Sequence, residues 1–153
     1  MNAEDRIEKM GLALPPPPGQ AGTYVPGVQV GSLLFVSGCV PRRVDGSAVT
    51  GKLGDELTVV QGYDAARLAG LAMLSRLRLL LGSLDRVKRV VKVLGMVNAA
   101  SDFVEQPKVV DGFSDLMVEV FGDSGRGARA AVGMATLSGG VAVEIEMIVE
   151  LYA

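Results

Sequence analysis

The run Gly127–Ala153, GARAAVGMATLSGGVAVEIEMIVELYA, places Arg129 among alanines and valines at the start of a long apolar stretch. Further along the same run, Glu144 and Glu146 stand at alternate positions. An arginine beside so much apolar surface must either reach water or hold an anion, because an unpaired buried charge is too costly to keep. Solvated arginine and anion clamp are thus the two readings of this segment. Glu144 is on the plain reading one of several solvated strand carboxylates, since Glu146 and Glu150 share its face.

Two scarcities narrow the chemistry. The chain has no histidine and a single cysteine, Cys39. Histidine-based triads, Cys–His pairs, His-dependent zinc sites and internal disulfides are therefore excluded. Catalysis must draw on Asp, Glu, Arg, Lys, Tyr, Ser, Cys39 or backbone groups. Cys39 reads as a small buried or cleft-wall residue, because nothing around it in sequence would lower its pKa. Charge is nearly balanced, with 15 basic and 17 acidic residues, and aromatics make up only 5 %, so neither a basic footprint nor a stacking platform for nucleic acid is present.

The elements that must position these residues follow from local signals. With 153 residues, 49 % of them hydrophobic, the chain is the size of one domain with a real core, spanning residues 1–153. MNAEDRIEKM is charged and lacks the apolar centre of a signal peptide, and no apolar run is long enough to cross a membrane. The expectation is a soluble cytoplasmic protein. Residues 1–21 read as a short helix over Asp5–Met10, ended by Gly11, and a stiff proline-rich arm, Leu14–Gly19. That arm lies along the domain, with a proline-rich ligand for a partner domain as the alternative.

Val28–Val30 and Leu33–Ser37 form a hairpin signal with Gly31 at the turn. Thr58-Val59-Val60-Gln61 has the form of a capping box, and the helix it opens runs to Leu81 with Gly82 as its stop. Only Asp64, Arg67, Arg76 and Arg78 are charged along it, which suits a helix packed closely on a sheet. Val87–Val97 reads as a central strand, and Pro107 opens a second helix reaching about Phe121. Two strands follow, Arg129–Leu137 and Val141–Leu151, joined by the turn Ser138-Gly139-Gly140 as a hairpin. In the last strand Val143, Ile145, Met147, Val149 and Leu151 share one face. The order ββ(β)αβαββ implies an α+β domain, a mixed sheet with two helices packed on one face. The uncovered face is still half apolar, so a homo-oligomer is expected.

Taken in order, Gly22-Thr23-Tyr24-Val25-Pro26, Val36-Ser37-Gly38-Cys39-Val40-Pro41, Ala128-Arg129-Ala130-Ala131-Val132 and Val141–Ile148 resemble the RidA/YjgF family. The likeness runs from about Gly22 to the C-terminus. The LPPPP arm, Leu57–Tyr63 and Gln106-Pro107-Lys108-Val109 resemble its longer, endoribonuclease-like (L-PSP) branch. The resemblance implies a chorismate-mutase-like fold, assembled as a homotrimer with ligand clefts between subunits. It also implies hydrolysis of reactive enamines and imines such as 2-aminoacrylate to 2-keto acids and ammonia, with no metal or organic cofactor.

By the same resemblance Arg129 takes the position of the substrate-carboxylate arginine, for which a forked guanidinium is suited. Glu144 takes that of the carboxylate tied to the attacking water or to proton transfer. Tyr24, Ser37 and Gly38 take cleft-lining positions. The chain departs from the pattern at Cys39, where glutamine is common, and at Ala131, which replaces a common Cys or Thr, a departure that weighs less because backbone contacts do not depend on the side chain. Ser138 replaces a usual proline. Asp111 stands where asparagine is expected and brings negative charge toward an anionic substrate.

Three functions are compatible with these residues. The first is a deaminase acting on a carboxylate-bearing imine or enamine. The second is a non-catalytic trimer that holds a small carboxylate or keto acid and has a regulatory role. The third, an endoribonuclease, is disfavoured because RNA cleavage needs an acid and a base that histidine usually supplies.

Overall fold

A computed structural model describes all residues, 1–153. In chain order the elements are α1 (Ala3–Met10), β1 (Gly27–Val30), β2 (Leu33–Cys39), α2 (Val59–Leu81), β3 (Val87–Asn98), α3 (Gln106–Phe121), β4 (Ala128–Met134) and β5 (Val143–Leu151). The fold is α+β, as expected. The stretch between β2 and α2 contributes isolated bridges rather than a further strand.

Local chemistry sets the helix ends. Thr58 Oγ1 accepts from the Gln61 N–H while the Gln61 side chain accepts from the Thr58 N–H, so the capping box of α2 is complete. Gly82 ends α2 in the left-handed conformation. Pro107 sits in the first turn of α3. Asn2 and Asp5 cap α1 reciprocally, and Ala3 and Ile7 anchor that helix to the core.

The five strands lie in the order β1-β2-β5-β3-β4, antiparallel except for the parallel β3–β4 pair. The expected hairpin between the last two strands is therefore not formed. β3 separates them, and β4 ends at Met134 rather than Leu137. The reason is topological: α3 connects β3 to β4 as a crossover, which lays β4 parallel to β3 at the sheet edge. Residues 135–142 then pass around the end of β3. Lys52 holds this connection by donating to Asn98 Oδ1 and the Ala135 carbonyl, and Thr50 bridges Val141.

Alternation along β5 is as read from sequence: Val143, Ile145, Met147, Val149 and Leu151 are buried under the helices. Against them pack Ala66, Ala69, Met73 and Leu77 of α2 and Phe113, Leu116 and Met117 of α3, all buried. The proline-rich arm lies along α2, with the Pro15 carbonyl accepting from Ser75 Oγ and Leu12 and Leu14 packed at the core's margin. The opposite face of the sheet is uncovered. There Val28 is paired with Phe35 and Phe35 with Ile148. Val28 is 51 % and Phe35 43 % exposed, so an apolar surface faces outward.

Candidate functional site

Arg129 lies near the start of β4, in register with Val93 on the helix-covered face. Positions 107, 111 and 114 form one stripe of α3, and all three meet its guanidinium. Nη1 donates to Asp111 Oδ1 at 2.7 Å and to Ser114 Oγ at 3.2 Å, and Nη2 donates to the Pro107 carbonyl at 3.4 Å. The Arg129 side chain is about three-quarters buried, at 23 % exposure, whereas Asp111 is half exposed at 48 %. Arg129 is thus neither simply solvated nor free: its charge is met by Asp111, the residue that replaces the expected asparagine.

The loop before β4 sets this geometry. A Cβ on Gly125 would stand 2.2 Å from the Met117 carbonyl oxygen, so only glycine lets the loop press against α3. Gly125-Arg126-Gly127 is a close-packing device. Asp111, Ser114, Arg126 and Arg129 line a hollow of about 250 Å³.

Tyr24, Ser37, Gly38 and Glu144 gather elsewhere. Ser37 Oγ donates to the Val25 carbonyl at 2.7 Å and the Ser37 N–H to the Pro26 carbonyl at 3.0 Å, which ties the Tyr24 segment to β2. Tyr24 itself is exposed, and its hydroxyl oxygen accepts from the Ala21 N–H. Between Val36 and Cys39 the β2–β5 register slips, making a bulge at Ser37-Gly38. Gly38 has no positive φ. It makes room, because a Cβ there would lie 3.0 Å from the Glu144 carboxyl carbon.

The two groups are far apart. Arg129 is in register with Val93, which is in register with Met147, three residues from Glu144. Two strand spacings of about 4.8 Å and three residues of about 3.3 Å separate their backbones by roughly 14 Å. Alternation also directs them to opposite faces: Arg129 toward α3, Glu144 toward the uncovered side. Ala131 lies in register with Gly95 on the helix face, packed against the core, and β4 is an edge strand with one side of its backbone unpaired in the chain. One copy of the chain does not bring Arg129 and Glu144 to one small ligand.

Sequence reasoning missed two residues. Ser114, three residues after Asp111, is the second side-chain partner of Arg129, through its hydroxyl. Arg76, only 3 % exposed, reaches from α2 to donate from Nη1 to the Ser37 carbonyl at 2.8 Å and the Gly38 carbonyl at 3.0 Å. It satisfies the backbone that the bulge unpairs. The available signal was position: Arg76 continues the buried stripe of Ala69, Ala72 and Met73. Cys39 is buried beside it. Desolvation pushes the thiol up to about 11, Arg76 opposing and Glu144 adding to the shift, so Cys39 is no nucleophile near neutral pH.

Against known proteins, the family model described as "YjgF/chorismate mutase-like, putative endoribonuclease" matches residues 4–145. Protein TCP17 of Trypanosoma cruzi is 46 % identical over 146 residues, covering 95 % of this chain and 91 % of that protein. A solved Shewanella oneidensis structure described as a "putative endoribonuclease" is 34 % identical with a TM-score of 0.94, covering 99 % of this chain and all of that one. Escherichia coli TdcF with bound serine shares the fold, at 24 % identity and a TM-score of 0.62 over 90 % of this chain and 94 % of its own. No helix is long and apolar enough to cross a membrane. The match over nearly the whole length, on the same sheet and helices, makes the chain a member of the YjgF/chorismate mutase-like family.

Proposed function

We propose that the protein is a hydrolytic deaminase of reactive imines and enamines of the 2-aminoacrylate/2-iminopropionate type, working as a homotrimer with its sites between copies. The observation that carries this reading is the division of the site. Arg129 with Asp111 and Ser114 lies at the β4 edge, and the Ser37–Gly38 bulge with Glu144 lies on the uncovered face, which is apolar and needs a cover. A second copy seated on that face would bring its Arg129 to the first copy's Glu144.

In such a cleft Arg129 holds the substrate carboxylate. Water adds to C2 of the protonated imine, giving a carbinolamine, and Glu144 of the other copy accepts the proton that water loses. Glu144 then returns that proton to the amino nitrogen, the C2–N bond breaks as the hydroxyl proton passes to Glu144, and ammonia departs with a 2-keto acid. Imines hydrolyse unaided in water, so positioning is enough and histidine is not required. The endoribonuclease in the family description finds no acid–base pair of the usual kind, as the chain has no histidine.

The test is ammonia release from 2-iminopropionate generated in situ. Arg129→Ala is expected to lose most of the enzyme-dependent rate, and equal rates in the two proteins would reject the assignment. One observation favours a second reading, a non-catalytic carboxylate-binding trimer with a regulatory role: Asp111 already neutralises Arg129 at 2.7 Å. Ligand binding without ammonia release would select that reading.

A further inference from the structure

We propose that Arg76 is a positioning residue for Glu144: buried in the core, it holds that carboxylate in place through the Ser37–Gly38 bulge. The proposal rests on the reading of Glu144 as the group that moves the proton, and names what fixes that group within one copy of the chain.

Arg76 and Glu144 are charges of opposite sign on the two sides of one residue. From the helix side, Arg76 Nη1 donates to the Ser37 carbonyl at 2.8 Å and to the Gly38 carbonyl at 3.0 Å. On the open side, the Glu144 carboxyl carbon lies 3.0 Å from where a Cβ of Gly38 would stand. Neither Arg76 nor Glu144 belongs to any ion pair of the chain. Cys39, the next residue along, has its thiol pushed up chiefly by desolvation, and the two charges it feels besides are Arg76 and Glu144. The Arg76 guanidinium is thus buried with carbonyls as its only partners, and its Nε has no acceptor at all.

Pairing two carbonyls does not by itself call for an arginine. A serine, an asparagine or a bound water donates to a carbonyl with no charge to desolvate. A buried guanidinium without a carboxylate partner is costly, and α2 is otherwise apolar on this stripe, with Ala69, Ala72, Met73 and Leu77 buried. The charge finds its counterpart across the bulge. Glu144 is drawn toward Arg76, and the missing Cβ of Gly38 lets its carboxylate settle against the backbone. The two hydrogen bonds from Nη1 fix that backbone, so the surface on which the carboxylate rests is set from inside the core. Arg76 touches no reacting atom. It keeps Glu144 where a proton can be handed over, and a shift of such a group slows the chemical step rather than binding.

The test is a double-mutant cycle on ammonia release from 2-iminopropionate generated in situ, with folding checked by thermal unfolding. Arg76→Met is expected to lower kcat roughly tenfold while KM stays within about twofold, because the Arg129 clamp is untouched. Arg76→Lys can bring one ammonium to the place of Nη1 and is expected to hold kcat within about threefold of wild type. In Glu144→Gln, which keeps the residual rate that positioning supplies, adding Arg76→Met is expected to change kcat by less than about twofold. Arg76→Gln, neutral but still a donor, carries the same cycle if Arg76→Met does not fold. An equal loss in both backgrounds, a wild-type kcat in Arg76→Met, or an Arg76→Lys no faster than Arg76→Met overturns the proposal and leaves Glu144 in its role. If Glu144→Gln by itself keeps the wild-type rate, the reading of Glu144 fails and the proposal falls with it.

Discussion

Gly38 and Glu144 stand so close across the β2–β5 pair that a side chain on the first would displace the carboxylate of the second. Gly38 has no positive φ, so alanine is permitted by its backbone, and the only conflict is with Glu144 at 3.0 Å. Gly38→Ala should therefore fold normally, with a stability change under about 1 kcal/mol, yet lose roughly tenfold or more in deamination, since small misplacements of reacting groups are costly. Comparing ammonia release with thermal unfolding checks this. Full activity in Gly38→Ala would remove Glu144 from the mechanism.

Arg76 should matter to stability more than its two hydrogen bonds suggest. Arg76→Met leaves the Ser37 and Gly38 carbonyls unpaired in a part-buried setting. The expected loss is about 2–3 kcal/mol, or a Tm lower by roughly 5–10 °C for a chain of this length. A thermal unfolding curve that matches wild type would mean that the bulge finds other donors.

The uncovered sheet face gives a prediction about assembly. Phe35 lies at its centre, beside Val28 and Ile148, over a hollow of about 380 Å³. Wild type should sediment as a trimer and Phe35→Glu as a folded monomer without deaminase activity, because Arg129 and Glu144 would no longer meet. A folded monomer that keeps full activity would contradict the shared site.

Acid should release α1. Burial by itself raises the Glu4 carboxyl, but hydrogen bonds from Arg78 and the Leu84 N–H outweigh it and hold the group below its ordinary 4.5. A carboxyl lowered in the folded state stabilises fully above that ordinary value, and the contribution is lost as pH falls through the folded one. Glu4→Gln should thus cost about 1 kcal/mol at neutral pH and progressively less in acid, vanishing once the pH is below the folded value and both proteins carry a neutral side chain. Denaturant unfolding at neutral and acid pH measures the difference, and a gap that does not close would reject the linkage.

Much of the fold is legible in short stretches of sequence. Thr58 with Gln61 and Gly82 sets the ends of α2, Gly31 turns the first hairpin, and the alternation from Val143 to Leu151 picks out the buried face. Each signal is local: it acts within a few residues and survives wherever the segment is placed. The family likeness, too, is carried by short segments, those that hold Ser37-Gly38, Arg129 and Glu144.

What lay beyond the sequence were relations between distant segments. Ser138-Gly139-Gly140 resembles a hairpin turn, yet the crossover through α3 inserts β3 between β4 and β5, and a local turn carries no record of that. Arg76 looks like one more charged helix residue until the bulge it serves is brought beneath it. The sequence by itself determined which residue types are at hand for chemistry: no histidine, one arginine in an apolar run, and carboxylates at alternate positions. Only the tertiary structure decided that Arg129 is neutralised by Asp111, and that Glu144 faces the other side of the sheet. Strand order and the face of a side chain are settled by packing across the whole domain, where burying the apolar surface outweighs any local preference.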